Sequence, residues 1–222
     1  FDFNHFSESG KMSHIKNIFP NGKGQLFLAF YKSKVSEGGL LLFDPKTKTC
    51  KEFQALKGKS VQGMTFLPGD DSGLWTAGEY FGRLDLEKDE FTNYSDKEDP
   101  FAWDVYNHIL VHEGKLFIAT WSYGILEFDP VSTTYLGEYH FDPDPYLQRN
   151  VVRSIKYKND SVAYITSADR GFGEFNLNSK QFSLSKNIVC LSIQRGLVFS
   201  IKLSPNKMAS SDTTPSALTC WF

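Results

Sequence analysis

One motif recurs four times along the chain: a glycine, then four residues later a large apolar side chain, then an acid or its amide. It reads Gly39-Leu40-Leu41-Leu42-Phe43-Asp44, Gly82-Arg83-Leu84-Asp85-Leu86-Glu87, Gly124-Ile125-Leu126-Glu127-Phe128-Asp129 and Gly171-Phe172-Gly173-Glu174-Phe175-Asn176, with the glycines 43, 42 and 47 residues apart. A repeat of this period constrains the fold more than any other feature, because so small a unit cannot bury its own apolar faces and must stack on copies of itself.

Each glycine is preceded by a short apolar run, at 25–30, 74–77, 116–120 and 162–166, and further upstream by another at 14–19, 61–67, 105–111 and 151–157. Downstream comes a turn such as Asp129-Pro130-Val131-Ser132 or Asn176-Leu177-Asn178-Ser179, then an aromatic segment at Phe53, 91–94, 135–139 or Phe182. Every unit therefore reads as four short strands joined by tight turns. Four strands per unit of roughly 45 residues is the pattern of a β-propeller blade. Leucine-rich repeats are shorter, and helical repeats would show a 3.6-residue period that is absent here.

The sequence thus predicts an all-β chain forming a single β-propeller over 1–222, with blades at about 13–53, 60–94, 104–141 and 151–184 and a partial unit at 187–222. Segment 1–6 reads as the outer strand of a closing or neighbouring blade. Two geometries follow: a ring of five blades closed from both chain ends, or an incomplete arc of four to five blades from a larger propeller. The Ser-, Thr- and Pro-bearing final 20 residues are poor strand material and favour the arc.

Composition agrees. Aromatic residues make up 15% of the chain, which suits half-buried pleated surfaces. The 24 basic and 26 acidic residues exclude a polybasic nucleic-acid binder. The longest apolar stretch, 188–203, is broken by Gln194, Arg195 and Lys202, so no membrane-spanning segment is expected. With no initiator Met and no apolar leader, the chain reads as processed or as a piece of something longer. Cys50, Cys190 and Cys220 form neither a disulfide framework nor a metal knuckle.

The runs Gly73-Leu74-Trp75-Thr76-Ala77-Gly78-Glu79-Tyr80-Phe81-Gly82-Arg83-Leu84-Asp85-Leu86 and Leu116-Phe117-Ile118-Ala119-Thr120-Trp121-Ser122-Tyr123-Gly124-Ile125-Leu126-Glu127-Phe128-Asp129-Pro130 resemble the two-component regulator propeller repeat. That pattern has a Gly-x-Leu-Trp-Ile-Gly-Thr strand, a loop, Gly-Leu, then Phe-Asp-Pro and an aromatic strand. The resemblance spans about 13–184 and implies a ligand-sensing segment from the periplasmic part of a bacterial two-component system. It also implies, as partners, an oligosaccharide or other small polar ligand and further blades or a second propeller of the same parent. The immunoglobulin-like module, membrane span and kinase that usually accompany such repeats are not found in this sequence.

In a propeller, the loops between second and third strands and the loops linking blades share one face around the central channel. They carry Tyr31 and Lys32, Glu79, Tyr80 and Phe81, Trp121, Ser122 and Tyr123, and Asp169 and Arg170, together with Trp103, Asp104, Asn107, Arg149, Asn150 and Arg153. Rings offer stacking surfaces for the C–H faces of a sugar, while amides and charges meet its hydroxyls. The expected ligand-binding set is Glu79, Tyr80, Trp103, Trp121, Tyr123, Asn150, Arg153, Asp169 and Arg170, although Phe81, Trp103 and Trp121 also suit packing between blades. His108 and His112 would lie roughly 13 Å apart along a strand, too far for one metal ion, and neither metal nor cofactor is expected. No nucleophile elbow, zinc-protease motif or phosphate loop is present. The chain therefore reads as a binder, with a docking scaffold and a glycan-cleaving enzyme as the alternatives. The latter rests on architecture and on acidic loops such as Asp142-Pro143-Asp144-Pro145.

Overall fold

The computed structural model describes residues 14–33, 37–95, 105–141, 150–168 and 170–184. These form sixteen strands in four antiparallel sheets. The first sheet holds β1 (Ile15–Pro20), β2 (Leu26–Phe30), β3 (Gly39–Asp44) and β4 (Thr49–Glu52). The second holds β5 (Val61–Phe66), β6 (Gly73–Gly78), β7 (Gly82–Asp85) and β8 (Glu90–Asn93). The third has β9 (Tyr106–His112), β10 (Lys115–Thr120), β11 (Ile125–Asp129) and β12 (Thr134–Tyr139), and the fourth β13 (Val152–Asn159), β14 (Val162–Ser167), β15 (Gly171–Asn176) and β16 (Phe182–Leu184). Each sheet is a meander in chain order, and successive sheets meet through their first strands, β1 with β5, β5 with β9 and β9 with β13. The chain is an all-β propeller, with four four-stranded blades among the described residues. The expected strand at 1–6 and the partial unit at 187–222 lie outside them.

The acid or amide that ends each motif builds the turn after the third strand. Asp44 Oδ1 accepts from the amides of Lys46 (2.8 Å) and Thr47 (3.2 Å). Asp85 Oδ1 does so from Glu87 and Lys88, Asp129 Oδ1 from Val131, and Asn176 Oδ1 from Asn178 and Ser179. The fifth residue of each turn, Lys48, Asp89, Thr133 or Lys180, takes a left-handed φ between 55° and 61°. A short polar side chain that satisfies one or two amides of its own turn explains why an acid or amide stands here. The second unit departs from the sequence reading. Its turn residue is Asp85, not Glu87, and its third strand has four residues where the others have five or six.

Each interval between neighbouring blades is filled by its own apolar cluster. Phe27, Leu40, Phe53, Met64 and Leu74 lie between the first and second blades. Trp75, Phe81, Ile109, Ile118 and Phe128 lie between the second and third, and Phe117, Ile125, Ile155, Ile165 and Phe175 between the third and fourth. The middle cluster is aromatic: the Trp75 ring stacks on Phe81 (5.6 Å) and Tyr94 (5.4 Å), while Phe81 meets Phe128 edge-on at 5.0 Å. Such pairs contribute about 0.5–1.5 kcal/mol each beyond the area they bury.

Inner-strand backbones also approach closely. A Cβ on Gly63 would lie 2.8 Å from His108 Cα, so glycine lets β5 and β9 meet at that level. Asn17 Nδ2 donates to Gln62 O and Asn107 Nδ2 to Val152 O, each at 2.8 Å across a blade boundary and each 45 residues along the chain. All four first strands carry a bulge near their start, where Lys16, Gln62, Asn107 and Arg153 stand outside the pairing with the second strand.

The motif glycine Gly124 has φ +68°, and a Cβ there would fall 2.1 Å from Tyr139 O in the fourth strand of its blade. Gly114, in a hairpin turn of the same blade, has φ +73° with no atom within 4 Å of its Cβ position. Alanine at Gly114 is therefore expected to cost only the left-handed backbone, about 1 kcal/mol. Gly124→Ala adds a clash with backbone and should cost ~3 kcal/mol or more. Urea unfolding of the two variants measures the difference, and equal losses would contradict it.

Candidate ligand-binding site

Because strands alternate in direction, the β2–β3, β6–β7, β10–β11 and β14–β15 loops share one face with the blade-linking loops. Trp121 stands on this face, 42% exposed, with its amide donating to Val105 O (3.0 Å). The Arg153 guanidinium, from the bulge of β13, lies 3.7 Å from the centre of the Trp121 indole. This cation–π stack joins the third blade to the fourth and fixes an exposed ring beside an exposed charge.

Tyr123 is half-buried, and its backbone bridges to Asn150 in the same region. Asn150 is 1% exposed and has its amide group held inside the protein: Oδ1 accepts from Phe141 N at 3.1 Å, and Nδ2 lies 3.0 Å from His140 Nδ1. Gly124 N donates to Asn150 O, so Asn150 locks the third blade's loops to the start of the fourth. On the second blade, the Glu79 carboxylate accepts from Ser60 N (3.4 Å) and sits 3.9 Å from Lys32 Nζ. Tyr80 is half-buried with Lys59 Nζ 5.5 Å from its ring centre. Arg170 is exposed, its amide donating to Ser167 Oγ. Phe81 is wholly buried in the inter-blade core, and Asn107 is buried with its Nδ2 donating to Val152 O and its Oδ1 without a partner. Trp103 and Asp169, like Asp104 and Arg149, lie outside the described residues. The structure thus unites Trp121 with Arg153, Tyr123 with Asn150, and Glu79 with Lys32, on three neighbouring stretches of one face.

Sequence reading set its candidates on the loops around the central channel and did not name the strand residues that line it. A cavity of about 340 Å³ is lined by residues from the inner strands of all four blades, among them Ile18, Thr65, His108 and Lys156. The volume falls within the ~300–1,000 Å³ of small-molecule sites. His108 has a buried Nδ1 without a hydrogen-bond partner. Desolvation, and then the Lys156 ammonium, push its pKa down to about 4 against the pull of a backbone hydrogen bond at Ile155, so the imidazole is neutral at pH 7. At the far end of the channel the Tyr157 hydroxyl donates to Val111 O and lies 3.3 Å from His112 Nδ1. Near the loop face, desolvation and then the Arg153 charge lower the pKa of Lys16. A signal for the channel was present: the inner strands read IKNIFP, VQGMTF, YNHILVH and VRSIKYKN, with bases and no acid. Among the described residues no three His, Cys, Asp or Glu side chains gather as a metal site, and no helix is long and apolar enough to cross a membrane.

No protein-family model matches the sequence, and no curated protein matches it. Solved structures do resemble it. The extracellular domain assigned to a hybrid two component system of B. thetaiotaomicron superposes with a TM-score of 0.61 at 18% identity, over 87% of this chain and 28% of that one. The extracellular domain assigned to a one component system of the same organism gives 0.59 at 12% identity, over 86% of this chain and 23% of that one. The likeness is one of fold, and the chain spans about a quarter of the length of either structure. Repeat motifs and fold lead to the same class: β-propellers like those of extracellular sensor domains.

The lowered pKa of His108 has a consequence for stability. The unfolded chain binds this proton near pH 6.5 and the folded one only near pH 4, so the contribution is intact above 6.5 and is lost as pH falls between those values. By pH 4.5 the loss should be on the order of 2 kcal/mol, and His108→Gln should remove that slope. Denaturant melts of both proteins from pH 7.5 to 4.5 test it, and parallel pH curves would refute the assignment.

Proposed function

We propose that this chain is the ligand-binding sensor segment of a bacterial two-component signalling protein, working in the periplasm and recognising an oligosaccharide or another small polar ligand without transforming it. The observation that carries this reading is the stack of Arg153 on the exposed Trp121 at the loop face, above a channel of small-molecule size. An indole held flat by a guanidinium offers a sugar a stacking surface with fixed donors beside it. Glu79, Tyr80, Tyr123 and Arg170 lie on the same face, and Trp103 and Asp169 belong to its loops by sequence. Asn150 serves the site by holding the loop that carries Trp121 and Tyr123. The extracellular setting of the similar structures supports the location. Their greater length supports further blades or a second propeller in the parent protein.

Thermal melts against a panel of oligosaccharides test the reading. A ligand at 100 times its Kd adds about 2.7 kcal/mol of stability, which raises the melting temperature of the wild-type chain. Trp121→Ala, an exposed position, should abolish that rise while the ligand-free melt stays within about 0.5–1 kcal/mol of wild type. The saccharide should be recovered uncleaved. A panel without effect, a rise untouched by Trp121→Ala, or cleavage products would each overturn the proposal.

A further inference from the structure

A run of polar contacts leads from the outer strand of the third blade to the loop face. His140 follows β12 directly, and its Nε2 meets the Glu138 carboxylate. Its Nδ1 lies 3.0 Å from Asn150 Nδ2, and Asn150 Oδ1 accepts from Phe141 N at 3.1 Å. The Asn150 carbonyl accepts from Gly124 N (2.9 Å), and its backbone bridges to Tyr123, so the loop that bears Trp121 is tied to this residue. Gly124 also backs onto the end of β12, where a Cβ would fall 2.1 Å from Tyr139 O and 3.5 Å from His140 Cα.

Hydrogen-bond chemistry fixes each orientation in that run. A backbone N–H only donates, so the Asn150 atom facing Phe141 N is the oxygen Oδ1. The amino group therefore faces His140. Because that group too only donates, Nδ1 is the acceptor and the imidazole proton sits on Nε2, toward Glu138. A second proton would enter at Nδ1 and set one donor against another. Turning the Asn150 amide over would offer Oδ1 to the imidazolium, but it would leave Nδ2 against Phe141 N, again donor against donor. In both cases a residue only 1% exposed loses one hydrogen bond that water cannot replace. The charged group that meets His140 is Glu138; the adjoining loop bears the Tyr123 phenol, and the fourth blade brings the Arg153 guanidinium, which is stacked on Trp121. The His140 and Glu138 side chains are themselves largely covered, at 20% and 29% exposed.

We propose that Glu138, His140 and Asn150 form a proton-operated lock on the Trp121–Gly124 loop, closed while His140 is neutral and loosened when Nδ1 takes up a proton. The bistable element is the Asn150 amide, and His140 is a positioning residue for the loop face. The lock stands on these contacts alone, while its bearing on ligand binding rests on the sensor reading above.

Nuclear magnetic resonance of the full, isotope-labelled chain tests it without a ligand. Long-range proton–nitrogen spectra at pH 8 should show His140 protonated at Nε2 and bare at Nδ1. Between pH 8 and pH 5 the Gly124 amide, which reports the bond to Asn150 O, should lose about two- to tenfold in protection against exchange, the effect of one hydrogen bond. Protection is taken relative to strand amides of the second blade, which carry any change in overall stability. The loss should share its midpoint with the His140 ring signals. His140→Gln keeps an acceptor for Asn150 but cannot gain charge, so Gly124 protection should stay level over this range; His140→Ala, with no acceptor, should show low protection at every pH. A proton on Nδ1 at pH 8, level protection in the wild type, or a loss that persists in His140→Gln would each overturn the lock. The sensor reading would survive any of these results, since the saccharide panel and Trp121→Ala decide it separately.

Discussion

The structure depends on one constraint: a four-stranded sheet of this size cannot cover either of its faces, so each blade's flank must be hidden by the next. Trp75, Phe81, Tyr94 and Phe128 meet between the second and third blades because neither sheet alone could remove them from water. Inner-strand backbones then come close enough for Gly63 to sit against His108 and for Asn17 and Asn107 to bond carbonyls of the neighbouring blade. In such a stack, cooperativity passes from neighbour to neighbour, and local repeats of sequence become repeats of contact.

The binding features follow from that packing. First strands brought around one axis must line a channel, and whatever side chains they carry become its wall. The recurring bulge adds a residue at the same level in every blade, and in the first and fourth that residue is Lys16 or Arg153, near the loop face. Loops at that face are tied to the scaffold where they matter: Asn150 holds the third blade's loop, and Arg153 reaches from the fourth blade to cover Trp121. A preorganised ring and charge lose little freedom on binding, which is the condition for affinity from a small contact area.

Much of the fold was legible because the repeat encodes local chemistry. The runs at 61–67, 105–111 and 162–166 correspond to β5, β9 and β14, and the turn acids stand where their side chains satisfy backbone amides. The second unit misled because its third strand is shorter, so Leu86-Glu87 matched the motif while Asp85 made the turn. Bulges were invisible, since an extra residue in an apolar run leaves no mark on alternation. The structural partners of Asn150, His140 and Phe141, were not legible because they come from the end of the preceding blade. The lining of the channel could not be read for a similar reason: Ile18, Thr65, His108 and Lys156 are spread over 140 residues of sequence and become neighbours only when four strands converge.

Hydrogen exchange read by mass spectrometry, with and without a saturating oligosaccharide ligand, tests most directly whether the axis is where this protein meets its ligand. Added protection is expected in the inner strands β1, β9 and β13 and in the Trp121–Gly124 loop, with the outer strands β4, β8, β12 and β16 unchanged. Protection confined to the outer strands, with the inner ones exchanging as before, would contradict it.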